Sequence, residues 1–473
     1  MSETALALLG LALLWGAAGL CAISAVRTAR TPQGAVGWVL FLILAPVPAV
    51  PAYMVLGRRR MSGYARLRRA ARRHVDEESA RQAGPRAALW RDPRRAGDHA
   101  AAFERLAGMP VTYGNAWRIL RDGEETFAAM FRAIEDAREV VLAAFYTIED
   151  DEIGRAFRDL LARKARQGVR VHLLYDAIGS SGLGAGYLAE LRAAGVRFAD
   201  FNALHPLPTR WQINFRNHRK IVVTDGRVGF LGGLNVSDAY LGRRPPLSPW
   251  RDTHLELRGP AAAQLQLVFA EDWAWATGET LELDWRAAPD PDGADALILP
   301  AGPADPLDTG SLYFCNAIEA ARERVWLATP YFVPDEAVLS ALQLAALRGV
   351  DVRIIAPANP DHWLPWLAAF AFFDEARAAG VRILRWREGF MHQKVAVVDE
   401  SFASIGSINL DNRSCRLNFE VTAILFDADA ARAAARMLEQ DMARCMPFDQ
   451  GLASMPAWVR AGAPLARLLA PML

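Results

Sequence analysis

Two stretches of this chain share one skeleton, and that duplication limits its possible folds more than any other feature. NHRKIVVTDGRVGFLGGLN occupies residues 217–235 and MHQKVAVVDESFASIGSIN residues 391–409. In each, a histidine is followed by lysine at the second position, aspartate at the seventh, glycine at the fourteenth and asparagine at the seventeenth. Composition argues against coincidence. The chain has three lysines (Lys164, Lys220 and Lys394) beside 51 arginines, and two of the three stand just after one of only eight histidines. Arginine is a flat fork and lysine a compact point charge. A chain that otherwise relies on arginine has kept an ammonium at two places, where it can sit against one oxygen of a crowded group.

The repeat is larger than the motifs. AIEDARE at 133–139 returns as AIEAARE at 317–323, and each leads into an apolar run, VVLAAFY or VWLATPYF. LRAAGVRF at 191–198 matches ARAAGVRI at 376–383. Helical periods that end at Gly-Val before β-branched runs are the pattern of β-α-β units, so each half is expected to be an α/β layer structure. Two like halves pack about a pseudo-twofold axis, which brings the two motifs face to face in one cleft. The expected divisions are 1–60, 61–105, 106–295 and 296–473.

Alternation on a strand puts each His and its Lys on one face. The GGLN and GSIN turns let the backbone approach a ligand and aim Asn235 and Asn409 at the same place. Lys220, Lys394, Asn235 and Asn409 are then donors for the non-bridging oxygens of a phosphodiester as charge builds in the transition state. Of His218 and His392, one attacks phosphorus and the other works as general acid and base. A nucleophilic imidazole needs a partner on its second nitrogen. Glu420, 28 residues after His392, is one candidate, and Asp252 in PWRDTH is its counterpart in the first half. Asp225 and Asp399 fall on the opposite strand face, which suits a structural role at the strand end. No carboxylate cluster suggests a metal, and no cofactor is expected.

The N-terminal end is apolar. Residues 4–26 and 33–57 carry no charge, and about 20 apolar residues cross the hydrocarbon core. A transmembrane hairpin is expected over 1–60; Pro46, Pro48 and Pro51 would break or kink the C-terminal half of the second segment, and a re-entrant or interfacial course is its alternative. The start, MSE, lacks the positive region of a signal peptide. Arg27 and Arg30 lie in the connector, and Arg58, Arg59, Arg60, Arg66, Arg68, Arg69, Arg72 and Arg73 follow the second segment. The positive-inside rule puts that cluster, and the body with it, in the cytoplasm, and it favours contact with anionic lipid. Residues 74–105 read as the polar part of a basic juxtamembrane linker. HWLPWLAAFAFF at 362–373 offers either a membrane-interface surface or a buried helix. Four scattered cysteines suit a reducing compartment, and a net charge of +1 argues against a general nucleic-acid binder.

At these residues the chain resembles the phospholipase D superfamily, whose HKD motif is His-x-Lys-x4-Asp in two copies. More closely it resembles the bacterial cardiolipin synthases. The likeness includes INFRNHRKIVVTDG, GGLNVSDAYLG, PWRDTH, DWAWATGE, TPYFVPDE, GFMHQK, IGSINLDNRS, LNFEV and ARLLAPML. It implies two phospholipase D-like α/β/α sandwich domains behind a membrane hairpin, in a bacterial inner membrane. It implies that two phosphatidylglycerol molecules give cardiolipin and glycerol without metal or nucleotide. His218 would be the nucleophile and His392 the acid/base, and all six HKD residues, Asp225 and Asp399 included, would count as active-site residues. A hydrolytic phospholipase D or a nuclease would share this chemistry, but a nuclease needs no membrane spans. A non-catalytic scaffold would have lost part of a motif, and both are intact.

Overall fold

The structure is a computed structural model that describes residues 2–29, 31–57, 63–70, 72–73, 98–202, 215–286 and 288–473. Arg30, Arg58, Arg59, Arg60 and the expected linker over 74–97 lie outside the described residues.

The body is built on one continuous sheet whose strand order, one extra edge strand in the second half aside, is the same from either end towards the middle. In the first half the order from the edge is Arg197–Asp200, Arg170–Tyr175, Val140–Phe145, Ile221–Thr224, Val228–Gly232, Thr253–Arg258 and Thr112–Arg121. In the second half, inside an extra antiparallel edge strand Cys445–Pro447, it is Arg382–Trp386, Asp351–Pro357, Arg324–Ala328, Val395–Val398, Phe402–Gly406, Asn418–Phe426 and Ala294–Ala301. The halves join where Thr112–Arg121 pairs antiparallel with Ala294–Ala301. Each half has three parallel strands, then an antiparallel hairpin that begins directly after its His-x-Lys. IVVT and VAVV are fully buried, as continuous apolar runs covered on both faces should be. Helices Glu152–Arg166 and Glu336–Leu347 start on Asp151 and Asp335, whose side chains accept from the third amide along, the expected N-cap bond.

The membrane end differs from a two-span hairpin. Glu3–Thr28 is a helix long and apolar enough to cross a bilayer. The second segment is two helices, Pro32–Leu44 and Pro46–Leu56, broken at Ala45. Thirteen helical residues rise only about 20 Å, too short for the hydrocarbon core. Trp38 and Tyr53 would stand about 22 Å apart on a straight helix, yet their rings are 5.0 Å apart. The pair therefore folds back on itself, and the Tyr53 hydroxyl donates to Ser24 Oγ at 3.0 Å on the spanning helix. The prolines account for the break: a proline after Ala45 removes an amide donor and disfavours helix at the preceding residue.

Parts of the expected linker belong to the body. Tyr64, 1% exposed, donates to Asp272 Oδ1 at 2.7 Å. Arg68 pairs with Asp305 and Glu271, and Arg72 with Glu271, so two of the basic residues expected to meet lipid are held by protein. Helix Asp98–Ala107 buries Ala100, Phe103 and Ala107 in the main core.

Candidate active site

Each motif histidine sits at the end of a two-residue strand borrowed by the other half. Arg216–Asn217 pairs with Asn418–Phe419, and His218 N–H donates to Phe419 O at 2.9 Å. Phe390–Met391 pairs with Trp250–Arg251, and His392 N–H donates to Arg251 O at 2.8 Å. One residue further along each partner strand stands a carboxylate. His218 Nδ1 lies 2.9 and 3.0 Å from the two oxygens of Glu420, and His392 Nδ1 lies 2.9 Å from Asp252 Oδ2. Both carboxylates are fully buried. The dyads are therefore crossed: each half supplies the carboxylate for the other half's histidine. With Nδ1 engaged, Nε2 is the nitrogen left to face a ligand.

The lysines are buried beside them. Lys220 Nζ donates to His218 O and Lys394 Nζ to His392 O, both at 2.6 Å. Burial pushes Lys220 well below its usual value and Lys394 down to about 8, with Glu420 and Asp252 opposing it. Burial also pushes His218 down to about 4, against the pull of Glu420, and His392 well below the ordinary histidine value. Lys394 acts on His218 and Lys220 on His392, as one shared cleft requires. At rest both imidazoles are neutral.

The two carboxylates differ, and a single position in the repeat explains why. Ser407 in GSIN donates to Glu420 Oε2 at 2.5 Å. Its counterpart in GGLN is Gly233, where a Cβ would fall 2.0 Å from Asp252 Oδ1. The serine hydroxyl reinforces one carboxylate, and the missing side chain makes room for the other. Burial pulls Glu420 upward, but His218, Lys220 and Ser407 outweigh it, so it lies below the usual range. Asp252 is pushed up to about 6 by burial, opposed by Lys394 and the Thr253 amide.

The asparagines also differ. Asn235 Oδ1 accepts from Thr147 N–H at 3.1 Å and its amide donates to the Tyr240 hydroxyl at 2.5 Å. Asn409 is buried, and its Oδ1 has no hydrogen-bond partner among the described residues.

Asp225 and Asp399 are turned away from the histidines and bind backbone amides. Asp225 accepts from the amides of Arg138, Glu139 and Val140, each at 2.8 Å. Asp399 does the same for Arg322, Glu323 and Arg324 at 2.8–2.9 Å. An odd spacing from the histidine turns them to the other face, beyond the strand end. Both hold a left-handed backbone, φ 52° and 50°, which aspartate tolerates better than most residues.

Sequence reasoning missed the surroundings of the two imidazoles. Tyr240, Trp250 and Phe390 surround His392, with ring centroids 6.0, 5.4 and 6.0 Å away. Beside His218 stand Tyr146, at 5.2 Å, and Arg216, buried two residues earlier on the same strand face. Arg216 has no ion pair among the described residues, and its counterpart in the repeat is Phe390. The flanking repeat units carried that contrast: arginine two residues before one motif histidine, phenylalanine before the other.

A family model described as "Cardiolipin synthase, PLD-like domain" matches residues 130–273 and 314–442, which hold both dyads. The chain belongs to this family. Cardiolipin synthase A of Pseudomonas putida (strain W619) is 46% identical over 464 residues, 96% of each chain. Cardiolipin synthase A of Pseudomonas fluorescens (strain Pf-5) is 44% identical over 459 residues, again 96% of each. Among solved structures, phosphatidylserine synthase of Haemophilus influenzae Rd KW20 superposes with a TM-score of 0.60 over 80% of this chain and 100% of that one, at 16% identity. That likeness is one of fold: the duplicated phospholipase D-like architecture is common to both.

Proposed function

We propose that this protein is a membrane-bound phosphatidyltransferase that makes cardiolipin and glycerol from two phosphatidylglycerol molecules. The observation that carries the reading is the pair of crossed His–carboxylate dyads with two buried lysines, in a chain that also holds a helix long and apolar enough to cross a membrane. In the first step His218 Nε2 attacks phosphorus, the bond to the glycerol oxygen breaks, and His392 gives that oxygen its proton. In the second, His392 takes the proton from a primary hydroxyl of another phosphatidylglycerol. Its oxygen attacks phosphorus, the P–N bond breaks, and both histidines return to their starting states. Lys220, Lys394 and the Asn409 amide stabilise the equatorial oxygens.

The asymmetry of the dyads supports this division of roles. An ionised Glu420 fixes the neutral tautomer a nucleophile needs. Asp252, pushed up to about 6, brings its pair with His392 closer to holding a proton than the Glu420 pair, and a bound phosphodiester anion favours that proton further. The aromatic wall around His392 favours a lipid hydroxyl over water as the second nucleophile. Membrane orientation follows from charge. With the second segment folded back, Arg27 and the Arg66–Arg73 group belong to one side, the cytoplasmic side by the positive-inside rule, and the body with them.

Phosphatidylglycerol alone, given to the purified protein in vesicles, should yield cardiolipin and glycerol in equal amounts by lipid mass spectrometry. Phosphatidic acid as main product would make it a hydrolase. With a nitrophenyl phosphodiester lipid, His392→Ala should trap a mass adduct on His218; an adduct on His392 in His218→Ala would reverse the roles.

A further inference from the structure

A cavity of about 560 Å³ lies where the membrane helices meet the second half of the body, within the size range of small-ligand sites. One wall is the end of the spanning helix, at Ala25 and Thr28, with Trp38 and Tyr53 of the folded-back pair. The other includes Leu339, Phe372 and Leu417 of the body. Two arginines also line it, but their charge is matched locally: Arg416 pairs with Asp308 and Asp335, and Arg467 with Glu375. Asp335 and Glu336 line it too, so the cavity offers no excess of positive charge and is suited to an apolar group rather than to a phosphate.

Its surroundings identify the occupant. The helix that carries Phe372 begins with Trp363, 63% exposed, which packs edge-on against Trp458 at 6.0 Å. Leu465 and Leu468 are exposed on either side of Arg467. An apolar body surface thus adjoins the cavity at Arg467, and the leucine-covered helix Glu3–Thr28 forms its other wall. The cavity also reaches towards the cleft. Asn412 lines it and stands three residues after Asn409, at most about 10 Å of extended chain. One leaflet of hydrocarbon is about 15 Å thick, so a lipid with its phosphorus at the dyads can place a chain here.

The geometry points to this cavity as the acyl-chain site of a phospholipid drawn from the adjoining leaflet, an inference that rests on the lipid-transfer reading above. It makes the folded-back helices part of the substrate site rather than an anchor alone. It also gives the enzyme a reason to prefer long chains over short ones, because only a long chain reaches from cleft to cavity.

The test uses the full-length protein in vesicles with phosphatidylglycerol bearing a diazirine near the end of one chain. Cross-links are expected in the peptides spanning 25–38 and 334–339. Ala337→Trp, at an exposed position facing the cavity, should abolish them and lower the ratio of long-chain to dihexanoyl phosphatidylglycerol turnover at least tenfold. Leu347→Trp, exposed at the far end of the same helix, should leave the ratio as it is. Wild-type cross-links confined to other segments, or an unchanged ratio in Ala337→Trp, would overturn the proposal. Cross-links at the cavity with phosphatidic acid as product would support the site while removing the transferase reading.

Discussion

Gly233 and Ser407 occupy one position of the repeat, and the difference between them sets the two dyads apart. Ser407 donates to Glu420 and the absent side chain of Gly233 admits Asp252. The consequence is a pH profile whose two limbs belong to different histidines. Turnover per substrate encounter should fall on the acid side as His218, at about 4, gains a proton and loses its lone pair. It should fall on the alkaline side as the His392–Asp252 pair loses the proton it must donate. In Ser407→Ala, Glu420 loses a donor and becomes more basic, His218 holds a proton more readily, and the acid limb moves up. In Asp252→Asn, His392 loses its negative partner, the alkaline limb moves down, and the rate falls roughly 10²-fold or more. A profile of kcat/KM against pH checks both. Movement of the opposite limb in either variant would exchange the roles of the histidines.

Among the elements, the hairpins that follow each motif owe their position to Asp225 and Asp399. Three amides at the start of strand Val140–Phe145 converge on Asp225, so this carboxylate docks the motif hairpin onto the neighbouring parallel strand. Asp225→Ala removes three charge-assisted hydrogen bonds and should cost about 3 kcal/mol or more. Asp225→Asn keeps an acceptor oxygen and tolerates the left-handed backbone, so its melting temperature should fall between wild type and Ala. The rate per folded molecule, measured beside a thermal melt, should stay within about threefold of wild type in the Asn variant, because the side chain makes no contact with the reacting groups. A folded Asn variant with wild-type melting but no turnover would return Asp225 to the chemistry.

For the whole molecule, the fold-back of Pro32–Leu44 on Pro46–Leu56 sets the topology that the proposed function predicts. A hairpin of two full spans would put the connector at Ala29 across the membrane from the body. The observed packing puts Ala29, the cavity and the body together, so on the proposed reading the other end of helix Glu3–Thr28 lies across the membrane from them. In a variant lacking the four native cysteines, Thr4→Cys should react with an impermeant maleimide applied to intact cells. Ala29→Cys should react only after permeabilisation. Labelling at Ala29 from outside, with Thr4 protected, would restore the two-span hairpin. Tyr64, bonded to Asp272, extends the same continuity inward: Asp272 also accepts from Arg219 and Asn217, the residues either side of His218.

What the sequence determined by itself was local. A spacing of two puts His and Lys on one strand face, a spacing of seven turns Asp away, and the duplicated units imply two α/β halves with their motifs opposed. These follow from strand geometry and from periodicity, which act within a few residues. Only the tertiary structure decided which carboxylate serves which histidine, because Glu420 and Asp252 reach their partners through strands paired between halves about 200 and 140 residues apart. It likewise decided that the second apolar segment folds back. Apolar composition is the same for a span and a re-entrant pair, and the difference lies in the packing of Tyr53 against Trp38 and Ser24.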